Sequence, residues 1–154
     1  KNQGIATDAF DNTWKYYATN EYDRFYAMQH EYAVYRYYDK AVEYLANAGF
    51  HIENHSDVMK DVVFSRAIQY GTYYIVEMFE DALGYMPGYE PCWNLSYVDA
   101  IRFDYDLITS VYKVCMTEEW NSSSLREELN ERFKSESAKA IRMLVDEYKA
   151  KGLM

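Results

Sequence analysis

One stretch, Ser56 to Gly71, constrains the fold of this chain more than any other. As a helix it would carry apolar side chains around most of its circumference, and such a helix is normally buried in the middle of a domain. Ser56 or Asn54 can cap its start, and Gly71 interrupts it. We therefore expect a buried central helix over about residues 56–71. Its apolar positions are Val58, Val62, Val63, Phe64, Ala67 and Ile68.

A polar row runs along the same helix. Asp61, Ser65 and Gln69 follow at i, i+4 and i+8, so their side chains would stack on one face. Buried polar groups must find partners or line a wet cleft. Asp61 is expected as a core carboxylate paired with Lys60, Arg66 or a helix N-terminus, and this role is favoured over a catalytic one.

The rest of the chain also follows helical spacing. No segment alternates convincingly at period two, which predicts an all-α fold: one compact multi-helix domain over residues 1–154. Ser96 with Asp99 three positions later reads as a capping box that opens a helix. Residues 85–95 form the longest predicted loop, a candidate lid or rim. The other predicted helices run from Asn20 to about Tyr35, over 40–48, from about Tyr74 to Ala82, from Ser96 to Cys115, and from about Leu125 to Gly152.

Composition excludes several classes of partner. The 154 residues carry a formal net charge of −9, which argues against nucleic acid as a partner and against an anionic membrane surface. No apolar run is long enough for membrane insertion. The 18 tyrosines suit a core with wet edges, sugar stacking or protein interfaces. The chain begins at Lys1, so we expect a processed chain or a fragment of a longer protein.

No cofactor or metal site is predicted. Cys92 and Cys115 allow a disulfide without requiring one. His51 and His55 flank a turn-like segment, so a metal site on them is discounted. Phosphate-binding, dinucleotide-binding and hydrolase motifs are absent.

The central segment carries a family resemblance. DVVFSRAIQYG, from Asp61 to Gly71, resembles the DVVWSxAVQHG segment of the chitosanase-like peptidoglycan hydrolases of bacteria and phages, in the lysozyme-like superfamily. Weaker similarity surrounds it, at Gln29 to Tyr32, at 38–42 and at 132–136. The likeness spans roughly residues 10–147.

The resemblance implies a lysozyme-like or chitosanase-like helical lobe and a substrate-binding cleft. The residues implied to line the cleft are Gln69, Tyr70, Asp61, Ser65, Gln29 and Tyr32. Tyr70 stands where the family has His, and Lys40 where it has Pro. The family's general-acid Glu lies in an upstream ESGG-like stretch, and residues 1–12 contain no glutamate. The catalytic residues are therefore unknown, and the chain alone is not expected to be active.

Three functions follow as hypotheses. The first is the helical lobe of a glycoside hydrolase-like protein acting on peptidoglycan or related amino-sugar polymers, without its catalytic segment. The second is a non-catalytic glycan-binding domain, and the third is a structural or protein-interaction domain of an envelope or phage tail-associated assembly. The expected partners are an amino-sugar polysaccharide or another protein, and the expected location is extracellular, in the cell envelope or phage-associated.

Overall fold

The computed structural model describes residues 34–154. Within them every regular element is helical, which confirms the predicted all-α class. A π-helical turn at Val34–Tyr38 leads into five α-helices: α1 Asp39–Asn47, α2 Asp57–Tyr70, α3 Ile75–Leu83, α4 Asp104–Cys115 and α5 Arg126–Ala150. Short 3-10 turns lie at Ile52–Asn54, Thr72–Tyr74, Leu95–Val98 and Ile101–Phe103. Most of the predicted helix from Asn20, with the predicted cleft residues Gln29 and Tyr32, lies outside the described residues.

Helix α2 is the central element, as its sequence predicts. It packs against each of the other four α-helices of the described region. The hydroxyl of Ser56 accepts a hydrogen bond from the Met59 backbone N–H at 3.0 Å, so Ser56 is the N-cap. Gly71, at φ +88°, ends the helix in a conformation that other residues rarely adopt. Local sequence signals thus set both of its boundaries.

One face of α2 is open, which the apolar pattern did not predict. Ile68 is 44% exposed and Phe64 is only half-buried. Asp61 and Ile68 share a face at i and i+7, and both are exposed. The helix is therefore central without being covered on all sides.

Two carboxylates from distant parts of the chain bind the start of α2. Asp104 accepts the backbone N–H of Ser56 at 2.8 Å. Glu147, near the end of α5, accepts those of Asp57 at 2.8 Å and Val58 at 3.1 Å. These N–H groups have no partner within their own helix, and a negative charge at a helix N-terminus is favourable. The two contacts fix α2 against α4 and α5.

The core lies between the five α-helices, and α1 contributes Ala41 and Leu45 to it. Its largest apolar side chains, Phe50, Phe79 and Phe133, are fully buried. The Tyr148 hydroxyl donates to the Ile101 carbonyl at 2.6 Å, which holds the last turns of α5 against the segment before α4. None of the helices in residues 34–154 combines the length and hydropathy that crossing a bilayer requires.

The predicted capping box at Ser96 is wrong. The Asn94 side chain caps a short 3-10 turn at Leu95–Val98, and α4 begins only at Asp104. Asp99 is not free to reach back to Ser96, because its carboxylate binds the side chains of His51 and His55 at 2.9 Å each. A long-range contact therefore overrides a local helix signal.

Candidate functional site

The polar row of α2 faces solvent in part and is not a buried network. Asp61 and Gln69 are exposed and Ser65 is half-buried. The Ser65 hydroxyl donates to the Val62 carbonyl at 3.2 Å, within its own helix. In the described region no hydrogen bond links the three residues of the row. They do not form a polar core.

Asp61 is not the core carboxylate that the sequence favoured. Lys60 pairs with Asp57 at 3.2 Å, and Arg66 pairs with Glu136 at 3.1 Å, so both candidate partners are engaged elsewhere. Partial burial raises the pKa of Asp61, and the negative charges of Asp57 and Glu147 raise it further.

Asp61 and Ser65 line an open groove between α2 and α5, with a volume of about 260 Å³. Glu136 and Lys139 add one charge of each sign to its wall. The other lining residues are Val58, Val62, Tyr112, Ala140 and Met143. Gln69 and Tyr70 are not among them. Of the four predicted cleft residues that the structure describes, two therefore line this groove.

A buried cation lies beneath the groove. Arg66 is 1% exposed, and its guanidinium is 5.1 Å from the ring centre of Tyr112 and 5.2 Å from that of Phe133. It donates to Glu136 at 3.1 Å and to the Cys115 sulfur at 3.5 Å. A buried charge persists only when it is paired and hydrogen-bonded. The position of Arg66 on an apolar helix could have signalled such a site, but its partners are distant in sequence.

Tyr70 belongs to a different surface. Five aromatic side chains, Tyr44, Tyr70, Tyr73, Tyr74 and Trp120, lie around the C-terminal end of α2 and form what is called here the tyrosine surface. Burial raises the pKa of the Tyr70 hydroxyl, with Cys115 adding to the effect. Tyr73 is 79% exposed and Tyr74 48%. Large aromatic groups are thus presented to solvent around the C-terminal end of α2.

The tyrosine surface is concave and continuous. A depression of about 450 Å³ and a second of about 330 Å³ share Tyr70 and Tyr74 as common walls. A third depression shares Tyr44 and Tyr73 with the first. The Tyr70 and Trp120 rings are 5.7 Å apart at 89°, and those of Tyr73 and Tyr74 are 5.1 Å apart at 85°. The rings support one another in edge-to-face pairs.

Charge divides this surface into two ends. Arg36 and Lys40 line the depression beside α1, whereas Glu77 and Glu119 line the one beside α3. Glu77, Asp81 and Glu119 can each place a carboxylate oxygen within 4.8 Å of the other two. Among the described residues this is the acidic set whose geometry could hold a cation.

Most of the tyrosine surface was not predicted from the sequence. One sequence signal for this surface was present. Gly71 is followed by Thr72, Tyr73 and Tyr74, so two aromatic residues lie in the turn after the central helix. Trp120, in the turn after α4, could not be assigned to the same surface without the packing of α3 against α4.

The histidines also occupy a place that the sequence did not predict. The buried ring of His55 lies between two carboxylates, with Nδ1 2.7 Å from Asp104 and Nε2 2.9 Å from Asp99. His51 binds Asp99 through both its backbone N–H and its ring. With both ring nitrogens engaged, His55 links the start of α2 to α4 and has no free nitrogen for a ligand.

Comparison with known proteins gives one family. A family model described as type VI secretion system spike protein VgrG3-like, C-terminal, matches residues 2–137 of the chain. A search of curated proteins finds no match.

The match overturns the expected kinship with chitosanase-like peptidoglycan hydrolases, and with it the hydrolase-like function drawn from that kinship. The resemblance was strict only over Asp61 to Gly71. Several of its matching positions, Val62, Val63 and Ala67 among them, are buried where α2 packs against its neighbours. Packing alone demands such residues in a central helix, so they carry little information about activity.

Proposed function

We propose that this chain, which belongs to the family of type VI secretion system spike protein VgrG3-like C-terminal domains, is a protein-interaction domain of such a spike. In this proposal residues 1–154 form one helical domain of a longer spike protein. The domain travels with the spike to the cell envelope or beyond the producing cell. There it contacts a protein partner through the tyrosine surface.

The observation that carries the proposal is the exposure of the tyrosine surface. Tyr44, Tyr73 and Tyr74 are 36%, 79% and 48% exposed, and they surround shared concavities. Tyrosine and tryptophan are among the residues most enriched at protein interfaces, because a large ring buries much area at a small cost in side-chain entropy. A spike protein works as part of an assembly, so an aromatic surface of this kind fits its family.

The groove between α2 and α5 is a weaker candidate for binding a protein partner than the tyrosine surface. Its volume is about 260 Å³, and carboxylates and an ammonium group lie on its walls. Glu136 there already pairs with Arg66 and Arg132, both at 3.1 Å. The cleft role expected for Asp61 and Ser65 is therefore secondary in this proposal, and Tyr70 is the predicted residue that it retains.

An amino-sugar ligand is the alternative for the same rings, since exposed tyrosine and tryptophan also stack on sugars. Titration with chitin oligomers, followed by tryptophan fluorescence in the parent chain and in Trp120→Phe, separates the two. We expect no saturable change. A saturable change that disappears in the variant would assign the surface to a glycan.

Site-specific photo-crosslinking tests the protein partner. A benzophenone amino acid is placed at position 74, or at position 105, in the spike protein that carries this domain, produced in its secreting host. Tyr105 is a matched control, because it is 42% exposed against 48% for Tyr74. Tyr105 is next to Asp104 in α4, and the Asp104 carboxylate binds the backbone N–H of Ser56 at the start of α2. The tyrosine surface lies at the other end of α2, which is about 21 Å long for its 14 residues.

We expect position 74 to yield a defined adduct that position 105 does not, with mass spectrometry mapping it to one protein partner. Tyr73→Ser should reduce the yield of that adduct. Equal adducts at both positions, or none at position 74, would refute the proposed use of this surface.

A further inference from the structure

One part of the tyrosine surface has a chemistry of its own. The depression beside α3 has a volume of about 330 Å³ and is lined by Tyr70, Tyr74, Glu77, Glu119 and Trp120. Three aromatic rings and two carboxylates form its wall, and none of the basic side chains in residues 34–154 lines it. It is called here the acid–aromatic pocket.

The aromatic walls of this pocket are held in fixed orientations. The Trp120 ring is nearly perpendicular to both Tyr70 and Tyr74, at 89° and 85°, with centres 5.7 Å and 6.4 Å away. The indole N–H of Trp120 donates to the Asp81 carboxylate at 3.0 Å, which fixes the ring in place. The faces of such rings carry negative potential and attract cations.

Three carboxylates lie close together at the acid–aromatic pocket, two of them in its wall. Glu77, Asp81 and Glu119 can bring one oxygen each within 4.8 Å of the others. In residues 34–154 the ion pairs involve none of these three acids. Like charges this close repel one another, and an incoming positive group would relieve the repulsion.

We propose that the acid–aromatic pocket binds a lysine or arginine side chain of the protein partner, an inference that rests on the proposed function. An ammonium or guanidinium group uses both kinds of wall, since it pairs with carboxylates and packs on aromatic faces. A calcium or magnesium ion takes oxygen ligands and gains nothing from the rings of Tyr70, Tyr74 or Trp120. The net charge of −9 would also favour the approach of a basic partner.

Nuclear magnetic resonance tests this directly on the full chain. The indole N–H signal of Trp120, assigned through Trp120→Phe, is followed during titration with the peptide acetyl-Lys-Arg-Lys-Arg-amide. Acetyl-Glu-Ser-Glu-Ser-amide and calcium chloride are titrated separately. We expect a saturable shift with the basic peptide that weakens as salt is raised, and none with the acidic peptide.

Charge-matched variants identify the pocket. Glu77→Gln with Glu119→Gln removes the two lining carboxylates, whereas Glu80→Gln with Glu118→Gln removes two exposed acids of the same segments that do not line it. We expect the first pair to weaken peptide binding about tenfold and the second pair to change it by less than about twofold.

Three results would overturn the inference: saturation by calcium without saturation by the peptide, equal weakening in both pairs of variants, or no shift of the Trp120 signal. The crosslink from position 74 separates this failure from failure of the proposed function. If the adduct persists while the peptide does not bind, the tyrosine surface still meets a protein, but not through a basic side chain.

Discussion

His55 and Asp104 form a fully buried hydrogen bond of 2.7 Å that joins the start of α2 to the start of α4. The second oxygen of Asp104 accepts the backbone N–H of Ser56 at 2.8 Å. One carboxylate thus serves a side chain and a helix terminus at the same time. The stability of the domain should depend strongly on it.

Asp104→Asn is expected to lower the free energy of unfolding by about 3 kcal/mol, because an amide has one oxygen where the carboxylate uses two, one for the His55 ring and one for the Ser56 N–H. Urea denaturation at pH 7 measures the change. Asp106→Asn, on the same helix turn but only partly buried, is the control and should cost less than about 0.5 kcal/mol. Equal effects of the two substitutions would contradict the importance of the buried pair.

Glu147 should give the domain a defined dependence on pH. Burial alone would raise the pKa of its carboxyl, but hydrogen bonds from Lys151 and from the N–H groups of Asp57 and Val58 lower it below its usual 4.5. The folded state then binds fewer protons than the unfolded chain. The resulting stabilisation is complete above about pH 4.5 and is lost as the pH falls through the lowered value.

Glu147→Gln should therefore cost about 2 kcal/mol at pH 7 and much less near pH 2, measured by urea denaturation at both values. Asp146→Asn, an exposed neighbour on α5, provides the comparison and should show little loss at either pH. A loss for Glu147→Gln that does not change with pH would mean that packing, and not charge, is responsible.

The ion pair between buried Arg66 and partly exposed Glu136 should show coupling in a double-mutant cycle. Glu136→Gln removes the anion that Arg66 contacts at 3.1 Å and is expected to destabilise by about 3 kcal/mol, because Arg66 is 1% exposed. Arg66→Met in the Glu136→Gln background should recover part of the loss. Arg132→Gln removes only the exposed partner of Glu136 and should cost less than about 1 kcal/mol. Additive effects of Arg66→Met and Glu136→Gln would contradict the coupling.

Gly49 should tolerate no side chain. Its φ is +95°, and a Cβ built there would lie 2.9 Å from the Cβ of Ser96. Gly49→Ala is expected to lower the free energy of unfolding by about 2 to 3 kcal/mol, and this loss is measured as a lower midpoint of thermal unfolding. Gly88→Ala shares the positive φ, at +78°, without any neighbour within 4 Å, so it measures the backbone cost alone. Equal midpoints for the two variants would mean that the close approach of Ser96 adds nothing to the cost of the substitution.

Helical periodicity was enough to predict the all-α class and the central helix, because both follow from the spacing of apolar residues in the chain. The Ser56 cap was also within reach, since its partner Met59 is only three residues away. The late start of α4 could not be predicted in this way, because Asp99 is hydrogen-bonded to His51 and His55 from an earlier segment. Local signals predict local contacts and fail where distant groups compete for the same side chain.

The predicted cleft residues lie on two separate surfaces for a geometric reason. Asp61 and Ser65 lie one helical turn apart and share the α2–α5 groove, whereas Tyr70 at the end of the helix points toward α3 and Trp120. Adjacent residues on a helix point about 100° apart, so Gln69 and Tyr70 do not share a face. Which of these faces would be open depends on α5 and the turn after α4, neither of which the sequence of α2 encodes.

The contact between Glu147 and the start of α2 has a consequence for how the domain is delimited. The family match ends at residue 137, in the middle of α5. A protein cut there would lose Leu144, which is fully buried, together with Glu147 and Tyr148. The first turn of the central helix would be left with bare N–H groups and an uncovered apolar side. The boundary by sequence similarity is therefore not a boundary of folding, and an excised domain needs the helix through at least Tyr148.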